Sequence, residues 1–307
     1  MKKVFVITVA VALMLALLPV SSVVAVTYAI GDMTKTFAVG SASLCENITG
    51  TINITVVDDG DLPVTVTDTM PEGLTLGGVS VDPAVDAEDV VFDEDELTVT
   101  LDAAGTYIIT FWAQVTSVHA SETITVTNTA NAYDSDIESD SASADLDLLP
   151  YEDFVKELAD PEDNEQVSRT QRSFDMVVNI ENTLDDDIDM LDVYVKDNLP
   201  GNIVYDDWAV ETGSVEETWG KEGKNQVAHL IWDLEGDLDN GDDVESTLTV
   251  FTDIVGGKDG DKHQMKNAGT YTLNPGATLM FTASDTDFAC TVRSAPVKVT
   301  VVEEMVA

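Results

Sequence analysis

The chain has 307 residues, of which 14 are Lys or Arg and 58 are Asp or Glu, so that its formal net charge is −44. This balance excludes a protein that binds nucleic acid through attraction to phosphate. At roughly 100–200 residues per domain the length predicts two domains, and an apolar content of 44% is enough for each to bury a core. Two cysteines and three histidines without clustered spacing exclude a disulfide-rich module and a structural zinc site.

The N-terminus has the pattern of a secretory signal peptide. Two lysines precede an apolar run from Val4 to Val20, and small residues ending at Ala25 follow. We therefore expect residues 1–25 to be removed, although an uncleaved segment of this kind is also long enough to span a bilayer. The C-terminal stretch 297–307 lacks an apolar run of about 20 residues, so no C-terminal membrane anchor is expected.

Short runs of alternating apolar and polar residues, separated by Asp, Gly and Pro, predict an all-β fold. In residues 47–56 the Ile and Val side chains share one face of a strand, while Asn and Thr occupy the other face. This pattern predicts the following inward residues in the first half: Ile48, Ile52, Ile54, Val56, Val64, Val66, Leu97, Val99, Leu101, Tyr107, Ile109, Phe111, Ala113, Val115, Ile124 and Val126.

A second set of strands is predicted beyond a domain boundary near Leu149 and Pro150. Residues 133–149 before the boundary fit either an outer edge strand or a linker, and residues 154–158 after it fit either a strand or one helical turn. The predicted inward residues of the second half are Phe174, Met176, Val178, Ile180, Leu191, Val193, Val195, Ala228, Leu230, Trp232, Leu234, Leu248, Val250, Val297, Val299 and Val301.

Both halves contain a related segment, which indicates an internal repeat. In residues 64–74 a strand pattern ends in Asp and continues with Met70-Pro71 and a glycine; in residues 191–203 the same pattern continues with Leu199-Pro200. Proline ends a strand, and glycine supplies a backbone conformation that other residues resist. We expect the Met or Leu before each proline to close one end of the core.

These segments resemble the conserved-repeat family of prokaryotic surface proteins, domain of unknown function 11, whose pattern includes V-x-D-x-L-P-x-G-L, a tryptophan strand and a closing N-T-A. The resemblance implies two tandem immunoglobulin-like β-sandwich domains, 26–149 and 150–307, of a cell-surface or secreted structural protein, and it implies no catalytic residues. The first half, which shares only residues 68–73 and 126–132, lacks the tryptophan strand. The second half matches the opening strand, asparagine turn, tryptophan strand, glycine turn, following strand and closing motif at residues 155–161, 179–183, 231–238, 240–241, 248–250 and 267–268.

No arrangement of catalytic residues is present, and we expect no enzymatic activity. Catalysis requires a base held near a nucleophile. His119, His229 and His263 instead fall in three separate sequence contexts. A secreted hydrolase, which would need a histidine and a carboxylate in contact within a pocket, is the less favoured alternative.

The sequence predicts no cofactor, with calcium bound at acidic turns as the one alternative. Residues 237–243 resemble the first half of a calcium loop, but Leu248 stands where the closing Glu is expected. We expect a solvated acidic surface, against the alternative of weak calcium binding by carboxylates at two turns. The residues concerned are Asp58, Asp59, Asp61, Asp237, Asp239 and Asp242.

Two Asn-x-Thr sequences make Asn47 and Asn53 candidates for N-glycosylation. Both asparagines have the outward parity of one strand, which would place two glycans roughly 20 Å apart on one side of a sheet. The alternative is that Asn and Thr simply occupy the solvent face of that strand.

The two cysteines lie near opposite ends of the tandem. A bridge between Cys45 and Cys290 would have to clasp both domains, and a sequence cannot establish that geometry. We therefore expect two unpaired or intermolecular thiols.

The sequence predicts a secreted or cell-surface structural protein, a component of an envelope, matrix or filament, whose partners are other envelope proteins, further copies of itself, or cations. Residues 26–30 are apolar and have no evident partner strand, so they either pair with another copy or pair within the first domain. The alternative function is a surface adhesin that binds a glycan or protein through loops at one sandwich end, with Tyr205, Trp208 and Trp219 as its aromatic candidates.

Overall fold

Strands account for nearly all the regular structure of the described chain, as the alternating pattern predicts. The computed structural model describes residues 30–57, 62–134, 137–160, 166–168, 173–185, 187–201, 203–222, 225–251, 269–286 and 288–302. Its one short 3-10 helix in these ranges, Ala87–Asp89, contributes no buried residue. The described residues contain no apolar helix of membrane-spanning length.

The first half forms two sheets. Sheet I has the strand order β1-β3-β8-β5, and sheet II has the order β2-β11-β10-β4-β7-β6. The strands of this half are β1 (Ile30–Phe37), β2 (Ser41–Ala42), β3 (Asn47–Val56), β4 (Val64–Thr69), β5 (Leu74–Asp82), β6 (Val90–Phe92), β7 (Glu96–Leu101), β8 (Gly105–Val115), β9 (Ser117–His119), β10 (Ile124–Asp134) and β11 (Ile137–Leu148).

The second half repeats this plan. Sheet III has the order β12-β14-β19-β16 and is the counterpart of sheet I; sheet IV has the order β17-β18-β15-β21-β22-β9, and the small sheet V has the order β13-β23-β20. The strands are β12 (Phe154–Asp160), β13 (Gln166–Ser168), β14 (Ser173–Glu181), β15 (Met190–Asn198), β16 (Val204–Val210), β17 (Ser214–Glu222), β18 (Asn225–Asp233), β19 (Asp243–Phe251), β20 (Gly269–Asn274), β21 (Ala277–Ala283), β22 (Ala289–Arg293) and β23 (Val297–Val302).

Each pair of sheets encloses an apolar core, so the predicted all-β sandwich fold is confirmed. In β3, Ile52 and Ile54 are fully buried while the intervening Asn53 is not. The rings of Trp208 on sheet III and Trp232 on sheet IV lie 6.0 Å apart, which brings the two sheets of the second sandwich together. Met70 and Leu199, the residues before the two motif prolines, are buried as expected.

The predicted inward residues are buried with three exceptions. Ile124 and Val126 are half-buried because the first part of β10 pairs only with β11, whereas residues from Ala130 onward also pair with β4. Leu191 is half-buried because the pairing of β15 with β21 shifts between Leu191 and Tyr194. The alternation of inward and outward side chains along a strand is interrupted where the pairing shifts in this way.

Three open alternatives are resolved as strands. Residues 137–148 form β11 rather than a linker, and Phe154–Asp160 form β12 rather than a helical turn. Ile30 pairs with Val56 as the first residue of β1, so this end of the segment 26–30 pairs within its own sandwich. The pairing of β1 therefore gives no support for donation of this strand to another copy. Residues 26–29 lie outside the described residues.

Replacement of Trp232 by Ala should destabilise the protein by about 3–5 kcal/mol, because a fully buried aromatic side chain is lost from the core. The indole of Trp232 also donates a hydrogen bond to Thr212 O at 2.8 Å. Trp219→Ala is the matched control: its side chain lies on the same sheet but is 53% exposed. Urea denaturation of both variants would contradict this packing if their midpoints fell equally.

Candidate functional site

A strand of the first half completes a sheet of the second half. β9 follows β8 in the chain but pairs in parallel with β22, so that Val118 lies beside Val292. The backbone N–H of Thr291 donates to Thr116 O at 2.8 Å, and that of Ala120 donates to Arg293 O at 2.9 Å. The first half therefore contributes the edge strand of sheet IV.

A disulfide joins the halves beside this strand. Cys45 is bonded to Cys290, with their Cα atoms 6.3 Å apart, so the expectation of unpaired or intermolecular thiols was wrong. The reason is the topology: Cys290 lies on β22, which the pairing with β9 brings to the end of β8, and the N–H of Cys45 donates to Val115 O there at 2.8 Å. We call β9, β22 and this disulfide the junction.

Polar and aromatic contacts surround the junction. The side chain of Gln114 is buried and donates to Cys45 O at 2.9 Å, while its Oε1 accepts a hydrogen bond from the Thr286 hydroxyl at 2.8 Å. The rings of Trp112 and Phe288 meet edge to face, with centroids 6.4 Å apart. The two halves thus contact each other through backbone, covalent and side-chain interactions at one place.

An open cleft of about 780 Å³ lies beside the junction. Cys45, Tyr151 and Leu184 are among its lining residues. The Tyr151 hydroxyl donates to Glu181 O at 2.5 Å and accepts from the Thr183 N–H at 3.0 Å, and burial raises the pKa of this phenol. Because both of these contacts are with backbone groups, they anchor Tyr151 and give it no reactive partner.

A buried ion pair crosses the core of the first sandwich. Lys35 on β1 of sheet I places its Nζ 2.6 Å from both carboxylate oxygens of Asp68 on β4 of sheet II, and both side chains are fully buried. Asn128 on β10 donates to Asp68 Oδ2 at 3.4 Å. Burial lowers the pKa of the Lys35 ammonium to about 8 and raises that of the Asp68 carboxyl, while the attraction between the two groups opposes both shifts.

The second sandwich contains the same three residue types. Lys156 on β12 of sheet III contacts Asp197 Oδ2 on β15 of sheet IV, and both side chains are fully buried. Asn274 at the end of β20 donates to Asp197 Oδ1 at 2.9 Å and to Oδ2 at 3.1 Å. Burial lowers the pKa of Lys156.

The two sets occupy equivalent places, and we call each a Lys-Asp-Asn triad. Asp68 pairs with Ala130, two residues after Asn128, and Asp197 pairs with Ala277, three residues after Asn274. The extra residue in the second half is accommodated at Gly276, whose φ of +115° suits glycine. The sequence interpretation missed both triads, although their aspartates belong to the repeated strand-Asp-x-apolar-Pro segment.

The predicted calcium ligands are not brought together in the described structure. Asp58, Asp59 and Asp61 lie outside the described residues. Asp237, Asp239 and Asp242 occupy the turn between β18 and β19, where Asp237 Oδ1 accepts the N–H of Asp192 at 3.2 Å. No group of three or more metal-ligating side chains occurs within the described ranges, so calcium binding remains a prediction from the sequence.

The glycosylation candidates both lie on β3, as their parity predicts. Asn47 is exposed and Asn53 is half-buried. Asn47 also borders the cleft at the junction. Glycosylation of either residue remains a prediction.

The histidines and the proposed adhesin aromatics are dispersed. His119 lies on β9, 3.2 Å from Glu122, whereas His229 on β18 contacts Asn198 at 2.6 Å; His263 lies outside the described residues. Trp208, expected at an exposed end, is instead buried and donates to the Ser246 hydroxyl at 2.9 Å. Tyr205 is half-buried and only Trp219 is largely exposed, so these aromatics form no exposed cluster.

No protein-family model matches the chain, and no curated protein matches its sequence. Among solved structures, it is similar to the C-terminal domain of the Streptococcus agalactiae AgI/II polypeptide BspA, with a TM-score of 0.29 and 11% identity over 88% of this chain and 100% of that chain. A putative membrane-anchored protein from Corynebacterium diphtheriae gives a TM-score of 0.29 and 10% identity over 89% of this chain and 59% of that one. A non-cellulosomal cohesin from the hyperthermophilic archaeon Archaeoglobus fulgidus gives a TM-score of 0.28 and 12% identity, over 49% of this chain and 94% of that one. Likeness at these TM-scores carries no argument about function.

Removal of the disulfide by the double substitution Cys45→Ser/Cys290→Ser should lower stability by about 2–5 kcal/mol, because the bridge closes a loop across 245 positions. Thermal unfolding measured by calorimetry should show the two sandwiches separating into distinct transitions. Arg293→Gln, which removes only the exposed ion pair with Glu72, is the control and should cost no more than about 1 kcal/mol. Equal effects of the two changes would contradict the predicted stabilisation by the disulfide.

Salt should raise the thermal midpoint, because a chain of net charge −44 repels itself and molar KCl shortens the screening length to about 3 Å. Millimolar CaCl2 at an ionic strength matched with KCl should raise it further if the carboxylates coordinate the ion. The triple substitution Asp237→Asn/Asp239→Asn/Asp242→Asn should reduce that additional rise. A midpoint unmoved by calcium at matched ionic strength would overturn the calcium prediction.

Proposed function

We propose that this protein is a secreted or cell-surface structural protein, a component of an envelope, matrix or filament, that acts without catalysis. The junction carries this proposal. A strand from the first half that pairs within sheet IV, and a disulfide beside it, connect the two sandwiches. Such a connection transmits force between domains, and an enzyme with one self-contained site has no evident need of it.

The disulfide also supports a location outside the cytosol. Stable disulfides form and persist in oxidising compartments and are rare in the cytosol. The sequence begins with a predicted signal peptide, which would bring the chain to such a compartment. Two independent features therefore favour export.

The distribution of charge supports an environment rich in cations. Residues 26–149 contain one lysine, Lys35, and no arginine, and Lys35 is buried against Asp68. The surface of the first half therefore has no lysine or arginine to offset its acids. Cations, other envelope proteins and further copies of the chain are the partners we propose, because counterions reduce repulsion between such surfaces.

The adhesin alternative receives less support. It depends on aromatic side chains that are exposed together at one end of a sandwich. Of its three candidates, Trp208 is in the core and Tyr205 is half-buried. The exposed Trp219 alone does not define a recognition surface.

Fractionation of cells that naturally make the protein would test the proposal. We expect the chain in the envelope or the medium, accessible to added protease on intact cells, with both cysteines resistant to alkylation until a reductant is added. A cytosolic chain with two free thiols would contradict it. Electron microscopy of the purified protein, with and without calcium, would then show whether it forms filaments, sheets or single particles.

A further inference from the structure

Each Lys-Asp-Asn triad combines a buried ion pair with a buried carboxamide. A buried ion pair stabilises a fold weakly, because the cost of removing both charges from water offsets their attraction. Here the same costly arrangement occurs twice, at equivalent positions, and consumes the single lysine of residues 26–149. In each case a buried carboxamide completes the group.

We propose that each sandwich contains an intramolecular amide bond between its triad lysine and asparagine, Lys35 to Asn128 and Lys156 to Asn274, with Asp68 and Asp197 acting as proton carriers. The proposal does not depend on the proposed function. It assigns a covalent self-modification that occurs once in each domain and involves no turnover.

The position of the carboxylate supports this assignment. Asp68 Oδ2 lies 2.6 Å from Lys35 Nζ and 3.4 Å from Asn128 Nδ2. In the second triad, Asp197 Oδ2 contacts Lys156 Nζ and lies 3.1 Å from Asn274 Nδ2. In both sandwiches one oxygen atom therefore reaches the nitrogen that would lose a proton and the nitrogen that would leave.

Burial of the triads favours the protonation states that the reaction requires. An amine attacks a carbonyl carbon only when it is unprotonated, and a lysine in a dry environment gives up its proton more readily than one in water. Burial lowers the pKa of both triad lysines, and it raises that of Asp68. In the first triad these directions favour a neutral amine beside a protonated carboxyl, and in the second the direction for Lys156 favours a neutral amine.

The reaction balances without any further reagent. The lone pair of lysine Nζ attacks Cγ of asparagine and forms a carbon–nitrogen bond. The aspartate takes a proton from Nζ and delivers one to Nδ2, the Cγ–Nδ2 bond breaks, and ammonia leaves. The products are a secondary amide and one ammonia molecule, and the aspartate returns to its initial state.

Asparagine rather than aspartate is the acyl donor for a chemical reason. If lysine attacked the aspartate carboxyl, water would have to leave, and the remaining group of the triad would be a carboxamide, which is neither a useful acid nor a useful base. If lysine attacks the asparagine, the remaining group is a carboxyl in contact with both nitrogens. The second arrangement supplies the proton transfer that the first one lacks.

The two triads differ at the carbonyl oxygen of the asparagine. The N–H of Gly276 donates to Asn274 Oδ1 at 2.8 Å, where negative charge would develop during the attack. Asn128 Oδ1 is buried and has no hydrogen-bond partner among the described residues. We therefore expect the second triad to react at least as completely as the first.

Mass spectrometry of the full chain tests the proposal. After denaturation and reduction, the wild-type mass should lie below the sequence mass by one ammonia per triad, about 34 Da in all, once the N-terminus has been identified. Trypsin should fail to cleave after Lys35 and Lys156. Fragmentation should reveal branched peptides that join Lys35 to Asn128 and Lys156 to Asn274.

Variants assign the roles within each triad. Lys35→Met or Asp68→Ala should each restore about 17 Da, beyond the change due to the substitution itself, and Lys156→Met or Asp197→Ala should do the same in the second half. Lys298→Met, at an exposed lysine, is the control and should leave the full deficit.

The mass of the wild-type chain tests the proposed amide bonds even if the variants fail to fold. A chain at its full sequence mass with no branched peptide would overturn the proposal. A loss of about 18 Da per triad with lysine joined to aspartate would overturn the assignment of asparagine as acyl donor. A deficit confined to one half would overturn the proposal for the other triad.

Discussion

Electrostatic self-repulsion is the constraint under which this chain folds. With 14 basic and 58 acidic residues, most carboxylates lack a cationic partner, and the single lysine of residues 26–149 lies in the core. Surface ion pairs therefore contribute little cohesion. The cohesion comes from apolar faces along most of the long strands and from contacts that cross between sheets, while acids predominate among the charged residues outside the core.

These apolar faces determine what could be predicted. A strand with one buried face has an apolar residue at every second position. Residues such as Ile52, Leu97 and Trp232 could therefore be predicted to lie in the core from this alternation alone. The pattern fails where the pairing is irregular, as at Leu191. It is also silent about pairing partners: nothing in Ser117–His119 indicates that this strand joins β22 rather than its own half. The disulfide depends on the same long-range pairing and was missed for that reason.

The triads were missed for a different reason. Hydrophobic patterns count lysine and aspartate as surface residues, so Lys35 and Asp68 at inward parity do not register as core residues. Two signals were nevertheless present: Lys35 is the only lysine between residues 26 and 149, and Asp68 and Asp197 occupy the same place in the repeated segment before proline. The sequence contains no comparable signal for Asn274, which lies beyond the last segment that resembles the repeat family, residues 267–268.

In the proposed structural role, the triads and the junction together would define a path for force through the tandem. β1 and β12 are edge strands and the first described strands of their halves, so a pull on the chain would act first on strands with a single neighbour. Each also holds the triad lysine, which reaches across the core to the opposite sheet. From sheet II the load would pass along the chain into β12, while β9 and the Cys45–Cys290 bond connect the sandwiches a second time. A strand held only by backbone hydrogen bonds can be peeled away one pair at a time, whereas a strand fixed to the opposite sheet at an interior residue cannot be peeled past that point. Ties at the places where load enters each sandwich are what a structural role for this acidic tandem would require.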